Sequence, residues 1–230
     1  MDAATDRVNG IESHAVARRH GKLHMVTGPM GSEKSTELAR HVQRCRRALR
    51  NSGAADYAAV ILVPMTKMRF GAERVGLETR NGLFMDAFAI TLDVPLCESV
   101  KRADVASALA ECSSIFVDEG QFFAGVAEFC EHFLALGKNI VVAALELTSE
   151  RSPFGEVPLL VAQAEKHTRL SAVCTFCGAR AIFTVCLVAK EGDVLVGGDA
   201  DYRAACRTCW SLHHSDAVLP NGAAKSNGAP

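Results

Sequence analysis

Short continuous apolar runs along this chain alternate with longer stretches whose apolar positions recur every three or four residues. Residues 22–27 form an apolar run stopped by Gly28 and Pro29, which predicts a buried strand entering a turn. From 36 to about 50, Leu38, Val42, Cys45 and Leu49 fall on one helical stripe, while Arg40, Arg44, Arg46, Arg47 and Arg50 mostly lie off it as a solvated face. Strands are predicted at 57–63 and 83–90, a helix at 99–111, and a strand at 114–117 that runs into two acids. A helix at 125–136 stopped by Gly137 and a strand at 139–145 follow. Strands alternating with helices of this length imply an α/β fold, a parallel sheet covered on both faces. After Phe154 the alternation is expected to stop, giving way to cysteine pairs, short strands and glycines, with a module boundary near Leu170.

With 230 residues and 49% hydrophobic side chains, the chain can bury one sizeable core and a smaller module. A net charge of −1 removes the general electrostatic reason to expect nucleic acid or an anionic membrane as partner. The apolar runs at 57–63 and 140–145 fall far short of the roughly 20 residues that span a bilayer. The first 20 residues carry no apolar secretory core and read as a flexible lead-in, so the expected location is cytoplasmic. The tail from 215, rich in Gly, Ala, Pro and Ser, reads as disordered. Of nine cysteines, Cys45, Cys97, Cys112, Cys130 and Cys186 stand singly in apolar or periodic stretches and are expected to be reduced.

Three motifs carry chemistry. GPMGSEKST at 28–36 follows a strand and opens a helix, the setting in which backbone N–H groups and a helix N-terminus face a phosphate. There Lys34 would meet terminal phosphate oxygens, Ser35 would hold Mg²⁺, and Thr36 would cap the first turn. The pattern GxxxxGK[ST] is broken at its second glycine by Glu33, which adds a Cβ and a negative charge next to the most anionic part of a nucleotide. The Glu33 carboxylate either weakens binding there or occupies the ring of donors itself as a phosphate mimic. The second motif, Asp118-Glu119 at a strand end, supplies one acid to place Mg²⁺ and another to take the proton of an attacking hydroxyl.

The third motif is the pair of knuckles Cys174-x-x-Cys177 and Cys206-x-x-Cys209, which together present four thiolates to one tetrahedral Zn²⁺. With every ligand place filled by sulfur, such a metal is structural. The 28 residues between the knuckles must fold out as a hairpin and return.

In this order GPMxSxKSTEL, DEGQFF, EFC with GK, AAL, RSPFG, CxxC and CRxC resemble the thymidine kinases of the cellular, zinc-containing type, over residues 21–210. The resemblance implies a P-loop nucleoside kinase domain at 21–170, a zinc module with a lasso-like substrate-covering loop at 171–214, and tails at 1–20 and 215–230. It also implies transfer of the γ-phosphate of ATP, with Mg²⁺, to the 5′-hydroxyl of thymidine or deoxyuridine. Glu119 matches the general base. Gly28, Pro29, Met30, Gly31, Ser32, Glu33, Lys34, Ser35, Thr36, Arg69, Asp118, Gln121 and Arg151 match the ATP and Mg²⁺ site. Phe122, Asp193, Val194, Leu195, Val196, Gly197 and Tyr202 match the nucleoside site, whose loop reads the pyrimidine through its backbone. The family commonly forms homo-oligomers, tetramers or dimers.

The chain departs from the family pattern at Glu33, at Val63 and Lys67, at Thr79-Arg80, at Glu146-Leu147, at Cys186, and at Ser149, where a phenylalanine packing on the base is expected. An aromatic platform lost at Ser149 costs about 1 kcal/mol of base contact. These changes keep a second reading open, a catalytically inactive scaffold or regulatory subunit with fold and zinc intact. A zinc-ribbon nucleic-acid module is disfavoured, because Cys174–Cys209 lacks interleaved basic and aromatic residues.

Overall fold

The structure, a computed structural model, describes residues 20–51, 53, 59–65, 75–188 and 201–215. Six strands make one sheet in the order β5-β2-β6-β7-β1-β8: β1 (Leu23–Thr27), β2 (Ala59–Pro64), β5 (Phe88–Ile90), β6 (Ser114–Val117), β7 (Asn139–Ala144) and β8 (Lys166–Arg169). Every pairing in it is parallel. Within the central strands, alternate side chains feed two cores. Leu23, Met25, Val60, Leu62, Ile115, Val117, Ile140 and Val142 point to the face covered by α2 (Leu96–Ser99), α3 (Ala103–Glu111), α4 (Val126–Ala135) and α5 (Val157–Gln163). Val26, Ala59, Ile61, Val63, Phe116 and Ala143 point to the opposite face, against Leu38, Ala39 and Val42 of α1 (Lys34–Asn51). Burial on both faces is why β1, β2 and β6 read as unbroken apolar runs. The expected α/β fold is present, and because the strands are parallel their carboxyl ends share one edge.

Three expectations are corrected. The run at 83–90 is two strands: β4 (Phe84–Asp86) pairs antiparallel with β3 (Gly76–Glu78), and β5 joins the central sheet. The helix at 99–111 is broken, with α2 ending at Ser99 and α3 starting at Ala103, and the Val100 and Lys101 amides closing back on Leu96 and Glu98. The alternation also continues past Phe154, through α5 and β8. α5 is too short to show a helical period, and β8 (KHTR) is an edge strand with mostly exposed side chains, so it carries no apolar run. Residues 57 and 58 of the strand expected at 57–63 lie outside the described residues, as do both tails.

Beyond β8 come two small antiparallel pairs, β9 (Ala172–Val173) with β10 (Arg180–Ala181) and β11 (Phe183–Cys186) with β12 (Tyr202–Ala205), then α6 (Arg207–Ser215). β11 and β12 form the base of the hairpin that the cysteine spacing requires. The core around the cysteines is small: Cys174, Ala181 and Ala204 with Ala172, Cys206 and Cys209 packed against it. Among the described residues, the buried Phe183, Val185 and Ala205 of β11 and β12 add to it.

Candidate phosphate site and four-cysteine centre

β1 ends at Thr27 and α1 starts at Lys34, so residues 28–33 form a loop at the carboxyl edge of the sheet. A Cβ on Gly28 would stand 2.7 Å from the Leu170 carbonyl oxygen, so the loop passes the end of β8 at a distance only glycine allows. Ser32 Oγ donates to the Pro29 carbonyl at 2.8 Å, and buried Lys34 sends Nζ to the same oxygen at 2.9 Å. The ammonium is thereby tethered beside the loop backbone. Glu33 has φ 63°, the left-handed conformation a glycine would take without strain. The backbone shape survives the lost glycine. The Glu33 side chain is exposed and lines an outer groove of about 490 Å³ with Glu37, Arg40 and Arg180. That placement does not favour the phosphate-mimic reading.

Asp118 and Glu119 follow β6 directly. Asp118, 1% exposed, accepts from Ser35 Oγ at 3.1 Å on each oxygen. A hydroxyl and a carboxylate converge there, hard oxygen donors of the kind that suit Mg²⁺. Glu119 has φ 53° and opens a 3-10 turn at Gly120–Phe122. Its Oε2 accepts from Gln121 Nε2 at 2.6 Å, and Gln121 Oε1 accepts from the Leu145 amide at 3.0 Å. Gln121 thus ties the acidic turn to the end of β7. Gly120 lets the turn lie against β7, since a Cβ there would meet Val142 Cγ1 at 2.5 Å. Phe122 packs edge-on to Phe154 at 5.8 Å, and half-buried Tyr202 lies on β12.

Sequence reasoning missed a polar hub on this edge. Thr27 Oγ1 donates to Glu146 Oε1 at 2.7 Å and meets His167 Nε2 at 2.6 Å, while Arg169 Nη2 donates to Glu146 Oε2 at 2.9 Å. Glu146, noted only as a departure, bridges the ends of β1 and β8 where a shorter side chain would reach less far. Its partners are distant in sequence, so no local pattern signals the bridge. Arg80, another departure, puts Nη2 4.0 Å from where a Cβ on Gly31 would stand, beside the phosphate loop.

The expected nucleotide residue Arg151 also has positive φ, 68°, and its guanidinium carbon lies 4.7 Å from the ring centroids of both Phe183 and Trp210. Buried Ser149 donates to Glu150 and accepts from Trp210 Nε1 at 2.8 Å through its carbonyl. Arg69, Lys67, Asp193, Val194, Leu195, Val196 and Gly197 lie outside the described residues.

The four thiols of Cys174, Cys177, Cys206 and Cys209 lie within 4.8 Å of one another, with Cys177 and Cys206 sulfurs 3.6 Å apart. Tetrahedral Zn–S bonds of about 2.3 Å place sulfurs roughly 3.8 Å apart, so the cluster fits such an ion. Burial raises the Cys174 thiol, but hydrogen bonds from the Cys206, Phe176 and Cys177 backbone outweigh it and bring it down to about 6. Cys209, hydrogen-bonded to the Cys177 and Cys206 thiols, is pushed up to about 12. The group can hold zinc. By contrast Cys130 is pushed up to about 12 by burial and then by Glu131, which keeps it a neutral core residue.

A sequence model of the family described as thymidine kinase matches residues 21–210. The chain belongs to the thymidine kinase family. It is 35% identical over 190 residues to the thymidine kinases of Monkeypox virus (strain Zaire-96-I-16) and of Variola virus, covering 83% of this chain and 97% of each relative. It is 31% identical over 193 residues to that of Sheeppox virus (strain KS-1), covering 84% and 98%. This membership makes the chain a phosphotransferase by family and spans both the phosphate loop and the cysteine centre. Thymidine kinase architecture therefore coexists here with Glu33 and Ser149. No helix among the described residues is long and apolar enough to cross a membrane.

Proposed function

We propose that this protein transfers the γ-phosphate of ATP to the 5′-hydroxyl of thymidine or deoxyuridine. The observation that carries the reading is the Ser35–Asp118 contact at 3.1 Å with Lys34 at the loop and Glu119 next in sequence. Gly28 to Thr36 wrap the phosphates, with Arg69, Gln121 and Arg151 completing the ATP site. Ser35 and Asp118 would hold Mg²⁺, which when bound neutralises charge on the β- and γ-phosphates. Glu119 takes the 5′-hydroxyl proton as the O5′–Pγ bond forms; the bond from Pγ to the β–γ bridging oxygen breaks and ADP leaves. Phe122, Tyr202 and the backbone of Asp193 to Gly197 would hold the nucleoside.

Zn²⁺ on the four cysteines is structural in this reading, the units divide at 21–170 and 171–214, and the protein works as a cytoplasmic homo-oligomer, a tetramer or dimer, with neither nucleic acid nor membrane as partner. The inactive-scaffold reading rests on Glu33, whose carboxylate stands at the groove beside the loop. Thymidine phosphorylation by zinc-replete protein separates the two. Product that falls about 10²- to 10⁴-fold in Glu119→Gln supports the kinase; product from Glu33→Gly alone supports the scaffold.

A further inference from the structure

The four-cysteine module touches the kinase edge through aromatic side chains set close to its ligands. Trp210 follows Cys209 on α6, and its indole N–H reaches the Ser149 carbonyl in the loop between β7 and α5. Phe183 opens β11, and the next residue, Thr184, accepts from the Met30 amide of the phosphate loop at 3.1 Å. The Phe183 and Trp210 rings, 6.1 Å apart, both receive the Arg151 guanidinium, and Arg207 stacks on Phe183 at 4.9 Å. Arg151 is otherwise exposed, and its backbone sits in a conformation that L-residues adopt only when their surroundings impose it. Its faces lie on the two rings, and a guanidinium seated that way presents its N–H edges as in-plane donors suited to phosphate oxygens.

We infer that Phe183 and Trp210 are positioning residues for Arg151, so that metal occupancy of the cysteine module governs how tightly the phosphate donor is held. The inference rests on the thymidine kinase reading for its ligand, ATP with Mg²⁺. When the metal leaves, the start of α6 loses the tie that Cys206 and Cys209 make to Cys174 and Cys177; Trp210 then withdraws from Ser149 and Arg151, and the guanidinium loses its seat. Zinc is thereby coupled to donor binding through a stack that contains neither a cysteine nor a phosphate ligand of the loop.

The chain has a single tryptophan, so its emission reports this contact directly. The full chain is loaded with zinc and then treated with a chelator, with metal release measured alongside. Trp210 emission should shift to longer wavelength as zinc leaves, and Arg151→Ala should change the emission of the zinc-loaded protein. The Kd for ATP with Mg²⁺ should rise about threefold to thirtyfold on chelation, in Arg151→Ala and in Trp210→Ala. Combining the two substitutions should cost no more than Arg151→Ala alone, and Trp210→Phe should recover part of the loss. Emission that ignores zinc release, or substitutions whose effects on Kd simply add, overturns the coupling. These readouts need no turnover: coupled emission and Kd in a protein that phosphorylates no thymidine uphold the stack and overturn the kinase reading alone.

Discussion

Replacing Glu33 by glycine removes two separable penalties. The first is conformational. At φ 63° an L-residue costs about 1–2 kcal/mol that glycine avoids, while glycine's own freedom in the unfolded chain takes back about 0.5–1 kcal/mol. The net gain is about 1 kcal/mol, worth roughly 2–4 °C in Tm for a chain of this size. The second is electrostatic. A carboxylate within about 10 Å of a bound phosphate repels each unit of charge by about 0.4 kcal/mol in bulk water and by under 2 kcal/mol at a surface dielectric near 20. Removing it should lower the KM for ATP about three- to tenfold at low salt, and less as salt is raised. Glu33→Gln separates the terms, because it loses the charge but keeps the strained backbone. Differential scanning calorimetry beside ATP kinetics should show both variants gaining ATP affinity and only Glu33→Gly gaining Tm. A glycine variant that melts below wild type, or a KM for ATP unmoved in both variants at low salt, would show that Glu33 carries neither penalty.

Other consequences are equally direct. Asp118→Asn should weaken Mg²⁺ dependence and reduce turnover while the far-ultraviolet circular dichroism stays native, because the carboxylate meets Ser35 at the sheet edge. Cys206→Ser should release metal on plasma emission analysis and unfold the module at lower temperature than the sheet, since the core around the cysteines is so small. Burial, then the charges of His41 and Lys166, bring His24 down to about 4, with Glu37 opposing and Arg44 adding to the effect. The unfolded chain therefore binds the proton more readily, so stability present above about pH 6.5 is lost as pH falls towards 4, by at most about 3 kcal/mol. Urea titrations of His24→Gln should show a flatter slope across that window; an unchanged slope contradicts this origin.

The sequence made legible those features in which neighbouring residues share one environment. β1, β2 and β6 are buried on both faces, so their apolar runs are continuous; of the stripe expected on α1, Leu38 and Val42 are buried and Cys45 and Leu49 pack partly buried against the same core. The phosphate loop and the cysteine knuckles are local in sequence, and the structure brings Lys34, Ser35 and Asp118 to one edge and four thiols to one cluster. β8 escaped because an edge strand that shows its side chains to water needs no apolar pattern. The split at Ala87 escaped because two short strands in different sheets share one apolar run. The Thr27–Glu146–Arg169 bridge and the Phe183–Arg151–Trp210 stack escaped for another reason: each joins residues that only tertiary folding brings together. Glu33 was visible as a broken pattern, but that its backbone keeps the left-handed shape while its side chain turns outward belongs to the three-dimensional structure.

On the proposed reading, the edge formed by Lys34, Ser35, Asp118 and Glu119 moves a phosphoryl group. Following radiolabel from γ-labelled ATP in a mixture of zinc-loaded protein, Mg²⁺ and thymidine measures that step itself. Label appearing in thymidine 5′-monophosphate, and lost in Glu119→Gln, is the predicted result. Label that stays in ATP with wild type and with Glu33→Gly alike, in folded zinc-bound protein, contradicts it.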